Sequence, residues 1–146
     1  MRGVIGDLPA GQTREITVLD MEASIEHLTR GTVRNVDVLL VVTEPYYRSL
    51  ETMGRTVPLA QELGVPLILG VANKVRTEQD EAAIREYAAR RGIEIVGVVP
   101  YDESVLEADR EGGALIEYAL TAPAVLAINA LADALQDRCL QAAAHA

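Results

Sequence analysis

Polar residues follow each of the four short hydrophobic runs in this sequence. The runs are rich in β-branched side chains and bounded by polar or turn residues, which is typical of buried strands: Glu15 to Leu19, Val38 to Thr43, Leu67 to Ala72 and Ile93 to Val99. The residues that follow them are, in order, Asp20, Glu44-Pro45, Asn73-Lys74 and Pro100-Tyr101-Asp102. Because parallel α/β sheets bind ligands beyond the carboxyl ends of their strands, we expect the functional site at this edge.

Asp20, at the end of the first predicted strand, has two interpretations. A carboxylate in this position is what a nucleotide-bound Mg²⁺ needs nearby, since the ion keeps several waters and accepts a carboxylate, often through one of them. A strand-end Asp also commonly caps the turn that follows. The local sequence taken alone favours the second, purely structural role.

Helical patterns lie between and after the strands. Thr77 and Asp80 have the spacing of a capping box, and Gly92 is placed to end the helix that they begin. The segment from Ser49 to Leu63 carries a helical apolar stripe, but Pro58 within it predicts a kink or a break.

The carboxyl-terminal segment is predicted as an amphipathic helix. Its apolar face is expected to hold Val125, Ile128, Ala132, Leu135 and Cys139. Strands that alternate with helices across short connections predict a parallel sheet flanked by helices, an α/β fold. We interpret residues 1–146 as a single domain whose ends, 1–12 and 141–146, are expected to be flexible.

The composition excludes several classes of function. Thirteen basic against 22 acidic residues give a net charge of −9, which repels phosphate backbones, so we expect no nucleic-acid partner. A single cysteine excludes an internal disulfide and a Cys-pair metal site within one chain. No run approaches the roughly 20 apolar residues that cross a bilayer, and the amino-terminal sequence is unlike a signal peptide. We therefore expect a cytoplasmic protein without a membrane partner.

The run from Asp20 to Thr32 closely resembles the switch segment of the carbon monoxide dehydrogenase accessory ATPases, which act in nickel insertion and belong to the MinD/ParA group of P-loop ATPases. The similarity continues at similar spacing through Glu44-Pro45, Asn73-Lys74-Val75, Pro100-Tyr101-Asp102, Ala108-Asp109, Gly112 and Tyr118. It covers most of the chain, from Asp7 to Leu135. The resemblance implies the carboxyl-terminal half of a MinD-like fold, without the strand that feeds the phosphate-binding loop.

The same resemblance implies a role for each residue that follows a strand. Asp20 would hold the Mg²⁺ of ATP or ADP through a water molecule. Asn73 would hydrogen-bond the edge of the adenine, since its amide offers both a donor and an acceptor. Lys74 would pack along the nucleotide or support that loop. Main-chain groups of Pro100-Tyr101-Asp102 would line the far side of the base.

The sequence also departs from the family pattern. Ser24 and Thr29 stand where glycines are usual, the family's Cys-x-Cys pair is absent, and no G-x-x-x-x-G-K-[ST] motif occurs. That motif supplies the amide groups and the lysine that bind the phosphates. We therefore expect no ATP hydrolysis by the chain alone, weak affinity directed at the base, and no nickel site within one chain.

Two functions stay open at this point: half of an ATPase, either truncated or one piece of a split protein, and a non-enzymatic interaction module that keeps the fold. The resemblance implies dimerisation over ATP and service to a nickel-dependent dehydrogenase. In the family, the phosphate-loop strand lies between the strands predicted here at Glu15 to Leu19 and Val38 to Thr43. Without it, these two strands must pair directly, associate with a second copy, or receive the missing half from another chain. We expect a homo-oligomer or a complex with such a chain.

Three other groups of residues are weaker candidates. Glu22, Glu26 and His27 offer an incomplete set of metal ligands, and a solvated switch surface explains them better. Cys139 is expected in the core of the last helix. Tyr46-Tyr47 begins a helix, where packing is the simpler explanation of its aromatic side chains.

Overall fold

The computed structural model describes residues 16–21 and 36–144, with side chains as far as residue 138. Three strands are formed in these residues: β1 (Val38–Thr43), β2 (Leu67–Val75) and β3 (Glu94–Pro100). Five helices connect and follow them: α1 (Tyr47–Glu62), α2 (Glu78–Ala89), α3 (Glu103–Glu111), α4 (Leu115–Tyr118) and α5 (Pro123–Ala144).

The three strands form one parallel sheet in the order β1-β2-β3. β1 and β2 are paired without a register shift from Val38 opposite Leu67 to Thr43 opposite Ala72. The parallel α/β architecture predicted from the sequence is confirmed. So are three of its four strands, β2 extending three residues further than predicted, to Val75.

The fourth predicted strand, Glu15 to Leu19, is wrong for the residues that the structure describes. Ile16 to Leu19 form neither a strand nor a helix and are exposed to solvent. A strand is held by hydrogen bonds to a neighbour, and within the described residues β1 pairs only with β2. Direct pairing between this segment and β1, one of the three arrangements left open by the sequence, is therefore not formed, and no described strand pairs with the other side of β1.

The two faces of the sheet are covered to different extents. On one face, α1 and α2 pack a continuous core against all three strands, in which Met53, Val57 and Ile84 are almost completely buried. On the other face, α5 packs against β3 and the neighbouring part of β2. On that face of β1, Leu40 still packs against this cluster, whereas Val42 is 58% exposed.

A break at Pro58, one of the two predicted outcomes, does not occur, because α1 is helical without interruption from Tyr47 to Glu62. A proline inside a helix removes one hydrogen bond. Met53 and Val57 before the proline and Ala60 after it are all buried against the sheet. Burial of these side chains on both sides of Pro58 offsets the lost hydrogen bond and keeps the helix continuous.

The polar ends of α2 are formed as predicted. Thr77 Oγ1 accepts a hydrogen bond from the backbone N of Asp80, and Asp80 Oδ2 accepts one from the backbone N of Thr77, each at 3.1 Å. The chain then turns at Gly92, whose φ of +69° lies in the left-handed region that glycine adopts without steric cost.

The predicted apolar face of α5 needs correction. Of the predicted face, Val125 is buried, whereas Ile128 is 49% exposed and Ala132 is also exposed. The residues that pack against the sheet include Ala124, Ala127 and Leu131. Leu131 lies over Gly97, where an added Cβ would be only 2.9 Å from Leu131 Cδ1. Close approach of helix and strand at this glycine explains why Leu131, and not Ile128, faces the sheet.

Several predictions lie outside the described residues. These are the switch segment from residue 22 onward, with Glu22, Glu26 and His27, and the flexible ends at 1–12 and 145–146. Residues 141–144 continue the helix α5, and the side chain of Cys139 is not described. None of the described helices is both long and apolar enough to cross a membrane.

Candidate functional site

The end of β1 is fixed by a small hydroxyl network. Thr43 is buried, and its Oγ1 lies 3.1 Å from Ser49 Oγ in the first turn of α1. Ser49 Oγ also accepts a hydrogen bond of 2.9 Å from the backbone N of Glu44. Both the strand and the helix therefore determine the position of Glu44.

Glu44 and Lys74 join the carboxyl ends of β1 and β2. Lys74 Nζ lies 2.7 Å from Glu44 Oε1, and the glutamate side chain is only 28% exposed. The hydrogen bond and the charge of Glu44 raise the pKa of Lys74 above its ordinary value, against a smaller effect of desolvation. The lysine is therefore a stable cation whose ammonium group is bound to the neighbouring strand.

Lys74 also has an unusual backbone conformation. Its φ is +55°, and no other described non-glycine residue has a positive φ. Ala72 is paired with Val98 and Val75 with Pro100, so β2 holds one more residue than β3 between these pairs and forms a bulge. A left-handed conformation costs an L-residue about 1–2 kcal/mol, and such strain recurs at functional sites.

Asn73 lies in this bulge, beside Lys74. It is partly buried, and its side-chain amide makes no hydrogen bond to another described residue. An amide offers two donors and an acceptor with two lone pairs. The structure therefore places a hydrogen-bonding group without a partner among the described residues at the carboxyl edge of the central strand.

Arg76, which directly follows β2, and Tyr101, which directly follows β3, extend this edge. The backbone N of Tyr101 donates a hydrogen bond of 2.9 Å to the carbonyl of Val75, which extends the pairing of β2 and β3. The guanidinium carbon of Arg76 lies 3.6 Å from the centre of the Tyr101 ring, a cation–π contact. Sequence reasoning missed Arg76, although an Arg and a Tyr that directly follow neighbouring strands are a usable signal for such a pair.

Asp102 stabilises the first turns of two helices. One carboxylate oxygen accepts a hydrogen bond of 2.9 Å from the backbone N of Ser104 in α3, and the other accepts one of 3.0 Å from the backbone N of Ala124 in α5. The bond from Ala124, with that from Ser104, lowers the pKa of Asp102. Ala122, just before α5, has no side-chain acceptor, so a distant residue takes the place of a local cap.

Asp20 is not part of this edge. Its neighbour Met21 packs against Ala60 and Val65, together with Val36, close to where β1 and β2 begin. Asp20 itself is exposed. No three His, Cys, Asp or Glu side chains gather into a possible metal site within the described residues. The structure therefore brings together the sequence-predicted residues of β2 and β3, adds Glu44 and Arg76, and leaves Asp20 at the opposite end of the strands.

The fold is that of the MinD and ParA ATPases. The chain matches the MinD cell division protein of Aquifex aeolicus with a TM-score of 0.62 and 20% identity, over 72% of this chain and 46% of that one. It matches a ParA family ATPase of Chlorobium tepidum with a TM-score of 0.61 and 23% identity, over 77% of this chain and 46% of that one. No protein-family profile matches the sequence.

Curated relatives are more similar in sequence. The carbon monoxide dehydrogenase accessory protein CooC of Rhodospirillum rubrum is 38% identical over 99 residues, which are 68% of this chain and 37% of CooC. An uncharacterised ATP-binding protein of Methanocaldococcus jannaschii is 40% identical over 114 residues, 77% of this chain and 44% of the relative. The chain is thus a homologue of CooC and of these ATP-binding proteins, as the resemblance predicted. It spans less than half the length of either relative.

Proposed function

We propose that this chain is the base-binding part of a MinD-type nucleotide-binding domain, and that the carboxyl edge of its sheet binds the adenine of ATP or ADP. The observation that supports this most directly is Asn73, an amide without a partner among the described residues, at the edge where α/β sheets bind ligands. The relatives named as ATP-binding proteins, at 40 and 42% identity, support the same assignment.

Each residue of the edge has a role in this proposal. The Asn73 amide donates to and accepts from the adenine edge, while main-chain groups at Pro100-Tyr101-Asp102 line the other side of the base. Asp102 closes that side, since its carboxylate holds the first turns of α3 and α5 together. Lys74 supports the bulge next to the base through its ion pair with Glu44.

Magnesium and the phosphates need groups that the described residues do not offer. The proposed role of Asp20 is to hold Mg²⁺ through water, but Asp20 is exposed and lies away from the carboxyl edge. It is a single carboxylate, whereas Mg²⁺ bound to a nucleotide also relies on phosphate oxygens that a P-loop orients. The described residues therefore do not fit a complete magnesium site, and we derive no catalytic step through the ion.

The biological role that we propose follows CooC, whose name describes an accessory protein of carbon monoxide dehydrogenase. The chain would act in the cytoplasm, in ATP-dependent insertion of nickel into such a dehydrogenase, with nickel as cargo rather than as a resident cofactor. It would not hydrolyse ATP alone. A second polypeptide with the phosphate-binding loop would complete the site, as a partner or within a homo-oligomer.

Titration of the isotope-labelled chain with ADP and with GDP, followed by NMR, tests base recognition. ADP should shift the side-chain amide resonances of Asn73 and the backbone resonances near Tyr101, with a Kd of about 1 mM or weaker, since phosphate contacts are missing. GDP should have a smaller effect. Asn73→Ala should remove the difference between the two nucleotides.

The matched control is Asn129→Ala, because Asn129 is an exposed amide on α5. This variant should respond to ADP as the unmodified chain does. An Asn73→Ala chain that still distinguishes ADP from GDP would contradict the adenine role. An assay with Mg²⁺-ATP should show no turnover above background, and turnover abolished by Asp20→Ala would contradict the absence of hydrolysis.

The second candidate, an interaction module without nucleotide binding, is favoured by one observation: Val42 is exposed, and no described strand pairs with one side of β1. Parallel sheets are normally covered on both faces. Association of the chain with a partner, together with the absence of any response to ADP in the titration, would support this function instead.

A further inference from the structure

We propose that Glu44 is a positioning residue for the base site, and that its ion pair with Lys74 holds β2 in the bulged conformation that presents Asn73. The role in base binding rests on the proposed function. The effect of Glu44 on the backbone of β2 is a property of the chain itself and can be measured without any nucleotide.

Within the described residues, the side chain of Lys74 has one charged partner that can stabilise its strained conformation. A lysine has no intrinsic preference for positive φ, so the surrounding structure must stabilise Lys74 in this conformation. Glu44, with 2.7 Å between Nζ and Oε1, forms the sole ion pair of Lys74 within the described residues. The contact joins the bulge to a different strand, so it fixes Lys74 relative to β1 and not merely to its own neighbours.

Glu44 is itself held in place. Its backbone N donates to Ser49 Oγ, and that hydroxyl also contacts the buried Thr43. β1 and α1 therefore fix the position of Glu44 independently of its contact with Lys74. Glu44 therefore restrains Lys74, and the backbone conformation of Lys74 in turn determines the position of Asn73.

The bulge determines where the Asn73 side chain projects. Successive residues of a strand point to opposite faces, and one inserted residue reverses that alternation beyond it. β2 contains the extra residue between Ala72 and Val75, the interval that holds Asn73 and Lys74. If Lys74 relaxed to a negative φ, the local path of β2 would change, and the amide of Asn73 would no longer keep its present direction.

Three variants separate positioning from direct contact with the nucleotide. Glu44→Gln removes the charge that holds Lys74. Lys74→Ala removes the ammonium and keeps the cost of a positive φ, whereas Lys74→Gly removes the ammonium and also that cost. If Lys74 acts through the backbone, the glycine variant should lose less affinity than the alanine variant, because it carries no steric cost at positive φ. If it contacts the nucleotide directly, both variants should lose affinity.

The conformational readout is the intraresidue nuclear Overhauser effect between the amide and Hα protons of residue 74, which is strong when φ is positive. We expect this effect to be strong in the unmodified chain and weaker in Glu44→Gln and Lys74→Ala. The matched control is Glu62→Gln, the same substitution at an exposed glutamate at the end of α1, which should leave it unchanged.

The binding readout is the ADP titration. Glu44→Gln and Lys74→Ala should weaken the response of the Asn73 amide by about three- to tenfold, the size expected for a partly exposed ion pair and a left-handed alanine. Lys74→Gly should weaken it less than Lys74→Ala does, because glycine adopts a positive φ without steric cost.

An undiminished Overhauser effect in Glu44→Gln would overturn the proposal. So would loss of the ADP response in Lys74→Gly together with an unchanged response in Glu44→Gln, which would indicate direct contact instead. If the unmodified chain shows no response to ADP, the proposed nucleotide function fails, and the Overhauser effect in Glu44→Gln alone decides whether Glu44 controls the bulge.

Discussion

The carboxyl edge of the sheet and the free side of β1 are built from similarly hydrophobic strands, yet only the first is complete within the described residues. At the carboxyl edge Glu44 pairs with Lys74, Tyr101 with Val75, and Asp102 with two helices. On the free side of β1, no described strand pairs with its backbone, and Val42 is bare. In the other described segment, residues 16–21, Ile16 and Val18 are also exposed, Val18 by 87%.

The two regions depend on different parts of the structure. The polar contacts of the carboxyl edge join residues that follow strands already held by the sheet, so they form wherever β1, β2 and β3 pair. A further strand beside β1 and a cover over its bare face each need another element. The carboxyl edge is therefore formed by β1, β2 and β3 themselves, whereas the free side of β1 needs an element outside the described residues.

Val41→Ala and Val42→Ala test the contrast between the two faces of β1 with adjacent, identical substitutions. Val41 faces α1 and is 8% exposed, while Val42 faces the bare side and is 58% exposed. Val41→Ala should lower the free energy of unfolding by about 2 kcal/mol, because it removes buried methyl groups and leaves a cavity. Val42→Ala should change it by less than about 0.5 kcal/mol.

Urea denaturation of both variants measures the two free energies. Equal losses at the two positions would mean that the bare face is covered in solution, either by residues outside the described part of the chain or by a second copy. Repeating the comparison over a range of protein concentration would then identify a second copy as the cover.

Gly97→Val tests whether α5 is needed to cover β3. A Cβ at this position would lie 2.9 Å from Leu131 Cδ1 and 3.4 Å from Leu131 Cβ. A branched side chain should force α5 away from the strand and destabilise the fold by about 1–2 kcal/mol. Gly113→Val is the matched control, since the nearest atom to its added Cβ is 4.0 Å away. Equal unfolding midpoints for the two variants would show that the packing of α5 contributes little.

Much of the carboxyl edge could be predicted from the sequence, because its signals are local. Short β-branched runs predicted β1, β2 and β3, and the residues just after them predicted the site. The capping box of Thr77 and Asp80 was also predictable, since both partners lie within one turn. The resemblance to the accessory ATPases added the roles of individual residues, which the pattern of strands does not contain.

The errors arise where a distant partner decides the outcome. Ile16 to Leu19 has the composition of a strand but no neighbouring strand among the described residues. In α5, the close approach at Gly97 explains why Leu131, and not Ile128, faces the sheet. The second cap made by Asp102 joins residues 22 positions apart, and the Glu44–Lys74 pair depends on the register of two strands. None of these contacts is encoded in a local pattern.

Val42→Lys tests whether the bare face promotes self-association. The unmodified chain is expected to form dimers or larger assemblies at micromolar concentration, since exposed strand edges and apolar faces favour association. A charge at position 42 should weaken this association by about tenfold, or about 1.4 kcal/mol, by light scattering. The free energy of unfolding at low concentration should hardly change.

Leu120→Lys is the control for the association experiment, because Leu120 is a 69% exposed apolar residue located between α4 and α5 and not on β1. It should associate as the unmodified chain does. A monomeric unmodified chain, or an equal effect of both lysines, would contradict a specific role for the face of β1.

The smallest expected effect is a pH dependence at the carboxyl edge. The backbone N–H groups of Ala124 and Ser104 lower the pKa of Asp102 in the folded chain below its ordinary value of 3.8. The ionised carboxylate therefore adds stability that is complete above the ordinary value and is lost as the pH falls through the lower folded-state pKa. Asp102→Asn keeps an acceptor oxygen but carries no charge, so its contribution should not vary with pH.

The measurement is the difference in urea midpoint between the unmodified chain and Asp102→Asn, at about pH 6 and at about pH 3. The unmodified chain should be the more stable at the higher pH, and the difference should shrink at the lower one, because protonation removes the charge on which the two helix caps depend. Asp133→Asn is the control, since Asp133 is an exposed carboxylate of α5 that accepts no hydrogen bond from another described residue. The same trend in both variants would reflect the net charge of the protein. A trend confined to Asp102 would show that a single ionised side chain links α3 and α5 at the edge where the base is proposed to bind.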